Sequence, residues 1–134
     1  MRLYIYQEGL ARLATEKYQP PTSQNIKHQF MHLTNYAVNK QNPNFVYNAS
    51  SQRMDIGHKR SLSSVMQMIS QRGFNLEKVN ADIEGAIVKT LLLGHPLASH
   101  QYRFCQPEDT LRNMCFHILG VDVMLDEDCK PWVI

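Results

Sequence analysis

Hydrophobic and polar positions change rhythm several times along this chain, and each change marks an element. Leu3-Tyr4-Ile5-Tyr6 and Leu10 to Thr15 are short apolar runs separated by Gln7-Glu8-Gly9. That spacing, with Gly9 free to adopt a turn conformation, predicts a β-hairpin that pairs the two. From Tyr18 to Gln29 the stretch Pro20-Pro21-Thr22-Ser23 blocks regular hydrogen bonding and predicts a connecting loop. His32 to Val38 reads as a short extended segment. Gln41 to Gly57 is rich in Asn, Ser and Gln, which predicts a mobile, disordered surface loop. Leu62, Val65, Met66 and Ile69 then fall at helical spacing, with Ser61 as N-cap and Gly73 as stop. A longer, central helix is predicted after Asn75, with Leu76, Val79, Ile83, Ala86, Ile87, Thr90 and Leu91 along one face until Gly94 and Pro96 interrupt it. Pro107-Glu108-Asp109 marks a loop. A final hairpin is expected to join Met114–Leu125 to Lys130–Ile134 through Asp126-Glu127-Asp128. Hairpins with segregated helices predict an α+β fold.

Composition narrows the class. With 134 residues, 43% hydrophobic and 19% charged, the chain can bury one modest core and suggests no second domain. A net charge of +2 does not argue for nucleic acid, although Lys59, Arg60, Arg72, Lys78 and Lys89 make the middle locally basic. Cys105, Cys115 and Cys129 have no metal-ligand spacing and predict reduced intracellular thiols. No apolar run approaches the roughly 20 residues of a membrane span, so no membrane partner is expected. Strand patterns begin at Arg2 and are still apolar at Trp132-Val133-Ile134, which predicts a fragment of a longer protein. Nucleophile elbow, phosphate-binding Gly-rich loop and dinucleotide fingerprint are all missing from the sequence, and covalent catalysis is not expected.

The chemistry-bearing positions are few. Met31-His32-Leu33-Thr34-Asn35-Tyr36-Ala37-Val38-Asn39-Lys40 packs donors and acceptors around Leu33, Tyr36 and Val38, which read as half-buried. Thr34 and Asn35 have groups for ribose or phosphate oxygens, or for neighbouring backbone; Tyr36 reads as core or as a ligand contact. Asp122 interrupts the apolar strand Phe116 to Leu125 with a charge costly to bury. A hard cation such as Mg2+ would satisfy it in a cleft, and water would on a wet sheet face. Asp126 reads as a turn residue. Arg12 suits bidentate carboxylate recognition or a snorkelling surface position. Lys59 beside Arg60 suits an anionic substrate or a solvated loop. The six histidines show no zinc spacing.

Gly9-Leu10-Ala11-Arg12, His32-Leu33-Thr34-Asn35-Tyr36-Ala37-Val38-Asn39-Lys40, Gly57-His58-Lys59-Arg60 and Gly120-Val121-Asp122, in that order, resemble the tubulin–tyrosine-ligase-like family of ATP-grasp enzymes. The similarity runs the length of the chain. It implies the C-terminal part of an ATP-grasp-like domain, with antiparallel strands or hairpins and two main helices. It also implies ATP and Mg2+ as cofactors, and a reaction joining an amino acid to a protein carboxylate through an acyl phosphate. By motif, Thr34 and Asn35 resemble ATP contacts, Arg12, Tyr36 and Lys59 resemble substrate contacts, and Asp122 resembles a metal ligand. The polyglutamylase branch is the nearest in pattern, which implies L-glutamate and the acidic tails of α- or β-tubulin as partners. Location would then be cytoplasm and cytoskeleton, on microtubules, including those of cilia or basal bodies. Residues 1–134 are accordingly expected to be a partial catalytic domain, without its N-terminal half or the last metal-ligand motif, and inactive alone. A glycylase or tyrosine-ligase relative is the alternative among ligases. A non-catalytic module holding tubulin tails through Arg12, Lys59 and Arg60 is the alternative outside them, and its binding would be salt-sensitive and indifferent to ATP.

Overall fold

The computed structural model describes residues 1–48 and 55–134. Its elements run β1 (Leu10–Arg12), α1 (Gln29–His32), α2 (Tyr36–Asn39), β2 (Lys59–Ser61), α3 (Leu62–Gln71), α4 (Leu76–Cys105), β3 (Val123–Leu125) and β4 (Pro131–Val133). Two small antiparallel sheets, β1–β2 and β3–β4, accompany two main helices, as an α+β reading requires. Where composition allowed one modest core, the chain divides into two compact units, residues 6–73 and residues 1–5 with 74–134.

In the 6–73 unit, the expected hairpin between residues 3–6 and 10–15 does not form. β1 pairs instead with β2, with Leu10 opposite Ser61, Ala11 opposite Arg60 and Arg12 opposite Lys59. Leu62 N–H to Gly9 C=O (2.9 Å) and Leu13 N–H to His58 C=O (2.8 Å) extend the pairing at both ends. Gly9 does not reverse the chain. Its N–H is held by Glu8 Oε1, which also accepts from Ser63 N–H at 3.1 Å and so pins the entry of β1 to the start of α3. The Glu8 carboxyl is held below its ordinary pKa mainly by the Gly9 N–H bond, then by Ser63. α3 begins where expected: the Ser61 hydroxyl accepts from Ser64 N–H at 3.2 Å, and Gly73 follows at φ +90. Met66 and Ile69 on α3 are buried and form the apolar centre of this unit.

The stretch from His32 to Val38 is not extended. It forms parts of two single-turn helices, α1 and α2, joined by Leu33 at φ −111, ψ 135. The loop from Tyr18 to His28 is present, and Thr22 and Asn25 close it by reciprocal hydrogen bonds of 2.7 and 3.3 Å. Of the surface loop expected over Gln41 to Gly57, residues 49–54 lie outside the described residues. The described part is fastened: Asn42 is buried, donates to Glu16 Oε1 at 3.2 Å and accepts from Asn44 N–H at 2.9 Å.

In the other unit, α4 starts at the expected cap, with Asn75 Oδ1 accepting from Lys78 N–H at 3.2 Å. It does not stop at Gly94 but continues through Pro96 to Cys105. The half-buried positions continue too, from Leu91 to His95, Ser99 and Tyr102, so the helix keeps one inward stripe after its apolar residues run out. Past α4, Asp109 accepts from Tyr102 Oη and from the N–H groups of Arg112, Asn113 and Met114. The final hairpin is shorter than expected, Val123–Leu125 against Pro131–Val133, with residues 115–122 irregular. Its turn is organised by Asp126, whose carboxylate accepts from Lys130 N–H, Asp128 N–H and Trp132 Nε1–H. α4 packs on β4, and Val79 and Cys129 are the buried apolar residues here.

Candidate functional site

Five of the six residues singled out from sequence, Arg12, Thr34, Asn35, Tyr36 and Lys59, belong to the 6–73 unit; Asp122 belongs to the other. Arg12 and Lys59 are register partners on β1 and β2, and both are exposed. Directly opposite residues of an antiparallel pair bring their Cβ atoms to about 5 Å on one face. Lys59 Nζ in turn lies 5.9 Å from the centroid of the Tyr36 ring, which is 45% exposed. The expectation that Tyr36 is either core or ligand contact resolves toward the surface. Its ring meets Phe45 edge-on at 5.8 Å, and Phe45 stacks on His58 at 5.3 Å, so an aromatic run connects α2 to the start of β2.

Thr34 is half-buried and Asn35 exposed. Asn35 occupies the N-cap position of α2 without a side-chain capping bond. Among the described residues neither side chain serves the local backbone, so the hydroxyl and amide remain available to hydrogen-bond a nucleotide's sugar or phosphate oxygens.

Two residues given no role from sequence hold this arrangement. Asn39 is 1% exposed and uses its whole side-chain amide: Oδ1 accepts from Thr15 N–H (3.0 Å) and Thr15 Oγ1 (2.9 Å), and Nδ2 donates to the carbonyls of Leu33 (2.6 Å) and Asn35 (3.2 Å). It thereby ties the chain just after β1, and so Arg12, to the segment carrying Thr34 and Asn35. Gly57, at φ +84, is the other. A Cβ there would stand 2.6 Å from both the Val46 carbonyl oxygen and Asn48 Oδ1. The glycine lets residue 46 approach, where Val46 N–H reaches His58 Nδ1 at 2.9 Å and His58 N–H reaches the Val46 carbonyl at 3.2 Å. Lys59 follows directly. The signal for both was present in the sequence as a dense polar run and a lone glycine before a basic pair.

Asp122 is exposed and sits one residue before β3, its carbonyl accepting from Ile134 N–H at 3.0 Å. The strand it was expected to interrupt begins after it. Its exposure means that burial cost does not point to a cation, and the metal role rests on the resemblance alone. A hard divalent cation takes six or more oxygens. Among the described residues no three His, Cys, Asp or Glu side chains converge to supply them. Mg2+ is commonly held by one or two carboxylates together with phosphate oxygens and waters, and Asp122 is a donor of the right kind. No helix among them is long and apolar enough to cross a membrane.

The 6–73 unit thus presents an exposed cationic and aromatic face, Arg12, Lys59 and Tyr36, with Thr34 and Asn35 beside it. The chain belongs to the tubulin-tyrosine ligase family, whose pattern it matches over residues 1–134. It is 49% identical over its whole length to a probable beta-tubulin polyglutamylase of Tetrahymena thermophila, and 42% identical to the human tubulin polyglutamylase TTLL6. Over 136 aligned positions it is 39% identical to the tubulin polyglutamylase TTLL7 of Xenopus tropicalis. It spans only 11, 14 and 15% of those three proteins.

Proposed function

We propose that the protein containing this chain is an ATP-dependent ligase that adds L-glutamate to glutamate side chains in the tails of α- or β-tubulin. The observation that carries the reading is the pairing of Arg12 with Lys59 on one exposed face, beside Tyr36. An incoming amino acid with two carboxylates needs two cations a few ångströms apart, and a guanidinium supplies planar, bidentate contact to one of them. Thr34 and Asn35 are the proposed nucleotide contacts. ATP supplies the activation, turning the acceptor carboxylate into an acyl phosphate whose phosphate leaves as the amino group forms the amide. In this reading the chain is part of an ATP-grasp-like domain, and the protein acts on microtubules of the cytoskeleton, those of cilia and basal bodies included.

The test is incorporation of labelled glutamate into tubulin by the whole protein. Arg12→Ala is expected to raise KM for glutamate about tenfold or more, the scale of a lost charge-assisted contact, with ATP affinity little changed. Equal incorporation by Arg12→Ala and wild type would remove the assignment. Asp122 is the proposed carboxylate donor to Mg2+, and Asp122→Asn should raise the Mg2+ concentration needed for half-maximal transfer. An unchanged Mg2+ dependence would sink that role.

A second reading, a tubulin-tail binder without ligase activity, draws on charge. Residues 6–73 carry eight lysines and arginines against three acids, a net charge of +5, whereas the whole chain carries +2. Such a module would bind acidic tails with strong salt dependence and no response to ATP.

A further inference from the structure

Lys40 has no part in the roles assigned above, yet it shares their surface. It stands at the C-cap of α2, one turn beyond Tyr36, with its N–H bonded to the Tyr36 carbonyl at 3.0 Å. Its Nζ lies 5.5 Å from the Tyr36 ring centroid, within the same range as Lys59 Nζ. One half-exposed ring therefore carries two ammonium groups, delivered by different elements. Among the described residues neither lysine has a carboxylate partner. Of the three acids in residues 6–73, Glu8 and Glu16 are committed elsewhere, to Gly9 and Ser63 N–H groups and to Asn42, and Asp55 has a partner of its own. An exposed cation–π contact is weak, enough to orient each ammonium without neutralising it.

We propose that Lys40, held against the Tyr36 ring beside Lys59, binds a carboxylate of an acidic peptide while Lys59 serves the incoming glutamate, and that Lys40 is a specificity residue for that acceptor chain. The proposal rests on the ligase reading above and deepens it. A single small amino acid is already matched by Arg12 and Lys59, which lie opposite each other on one ladder. Lys40 adds a cation from a separate helix. The surplus of positive charge in residues 6–73 fits a ligand with several carboxylates rather than one.

The test uses the whole protein and a fluorescent glutamate-rich peptide, read by anisotropy with and without ATP, alongside separate KM values for peptide and free glutamate. Lys40→Gln is expected to weaken peptide binding about five- to tenfold and raise the peptide KM equally, leaving the glutamate KM and kcat unchanged; Lys40→Arg should restore binding. Wild-type peptide affinity in Lys40→Gln would overturn the proposal. A rise in glutamate KM without a change for peptide would also overturn it, by giving Lys40 to the amino acid. If the wild-type protein transfers no glutamate, the ligase reading fails, while anisotropy still decides whether Lys40 holds the peptide.

Discussion

At the scale of single residues, the solvent-facing members of the proposed site stand out in the sequence more readily than the residues that hold them in place. Arg12, Thr34, Asn35, Tyr36 and Lys59 announce themselves because charged, hydroxyl and aromatic groups in a fixed order are what a ligand site needs. Asn39 looks like one more polar residue in a polar run; only the structure shows its side chain bonded on both sides and shut away from water. Replacing it by Leu would leave Thr15 N–H, Thr15 Oγ1 and the Leu33 carbonyl without partners. Each unsatisfied buried group costs about 1–3 kcal/mol, so Asn39→Leu in the whole protein should lower Tm by several degrees and weaken nucleotide and amino-acid binding together. Unchanged stability would show that the tie between β1 and α2 is dispensable. Gly57→Ala is expected to be as damaging for a different reason. The methyl group meets a backbone carbonyl at 2.6 Å and the φ of +84 disfavours any side chain. Loss of glutamate transfer with ATP binding retained would place the damage at Lys59, whereas wild-type transfer would contradict the close approach of residue 46.

At the scale of elements, local signals were read well and non-local ones poorly. Ser61, Gly73 and Asn75 act as the caps and stop their chemistry suggests, because capping is decided within four residues. The partner of β1 lies at residues 59–61, after two helices and a long loop, and no pattern within residues 3–15 could point there. α1 and α2, four residues each, are shorter than the window over which helical periodicity registers. α4 defeats its own stop signal: Pro96 removes one backbone donor and normally costs about 3 kcal/mol inside a helix, yet the helix runs on for nine further residues. Pro96→Ala should therefore raise the unfolding temperature of the whole protein, and a fall would mean that the proline relieves strain in this helix. The segment after α4 carries its own pH response. Asp109 is held below the usual carboxylate range chiefly by the Tyr102 hydroxyl, then by the N–H groups of Met114, Arg112 and Asn113, and Tyr102 is raised in turn by Asp109. A carboxyl with a lowered folded pKa contributes stability above its unfolded pKa and loses it as pH falls through the folded value. Amide exchange of Arg112, Asn113 and Met114 should accelerate only on acidification below the ordinary Asp range; Asp109→Asn should abolish that dependence.

At the scale of the whole chain, two uneven distributions matter: charge and apolar burial. Positive charge is concentrated in residues 6–73, and the remaining residues carry a net −3. An overall +2 hides this, which is why whole-chain composition alone did not reveal the concentration of positive charge. Burial is sparse in both units: Met66 and Ile69 are the buried apolar residues in one, Val79 and Cys129 in the other, among those described. Against them stand Leu93, Leu97 and Phe104 on α4, and Leu111, Met114, Phe116, Ile118 and Leu119 beyond it, all exposed. Fully burying a side chain of this kind contributes about 1.5–3 kcal/mol relative to leaving it in water, so several such groups left exposed forgo a contribution comparable to the roughly 5–15 kcal/mol that ordinarily separates folded from unfolded domains. The 134 residues expressed alone are therefore expected to bind a hydrophobic dye strongly and to unfold over a broad, weakly cooperative range with aggregation. The β-hairpin of residues 123–133 should be lost early in that melt, since two three-residue strands cannot sustain themselves without packing on α4. A sharp, reversible, high-temperature transition with little dye binding would show that these exposed side chains are packed in solution, and the expectation of marginal stability would then be wrong.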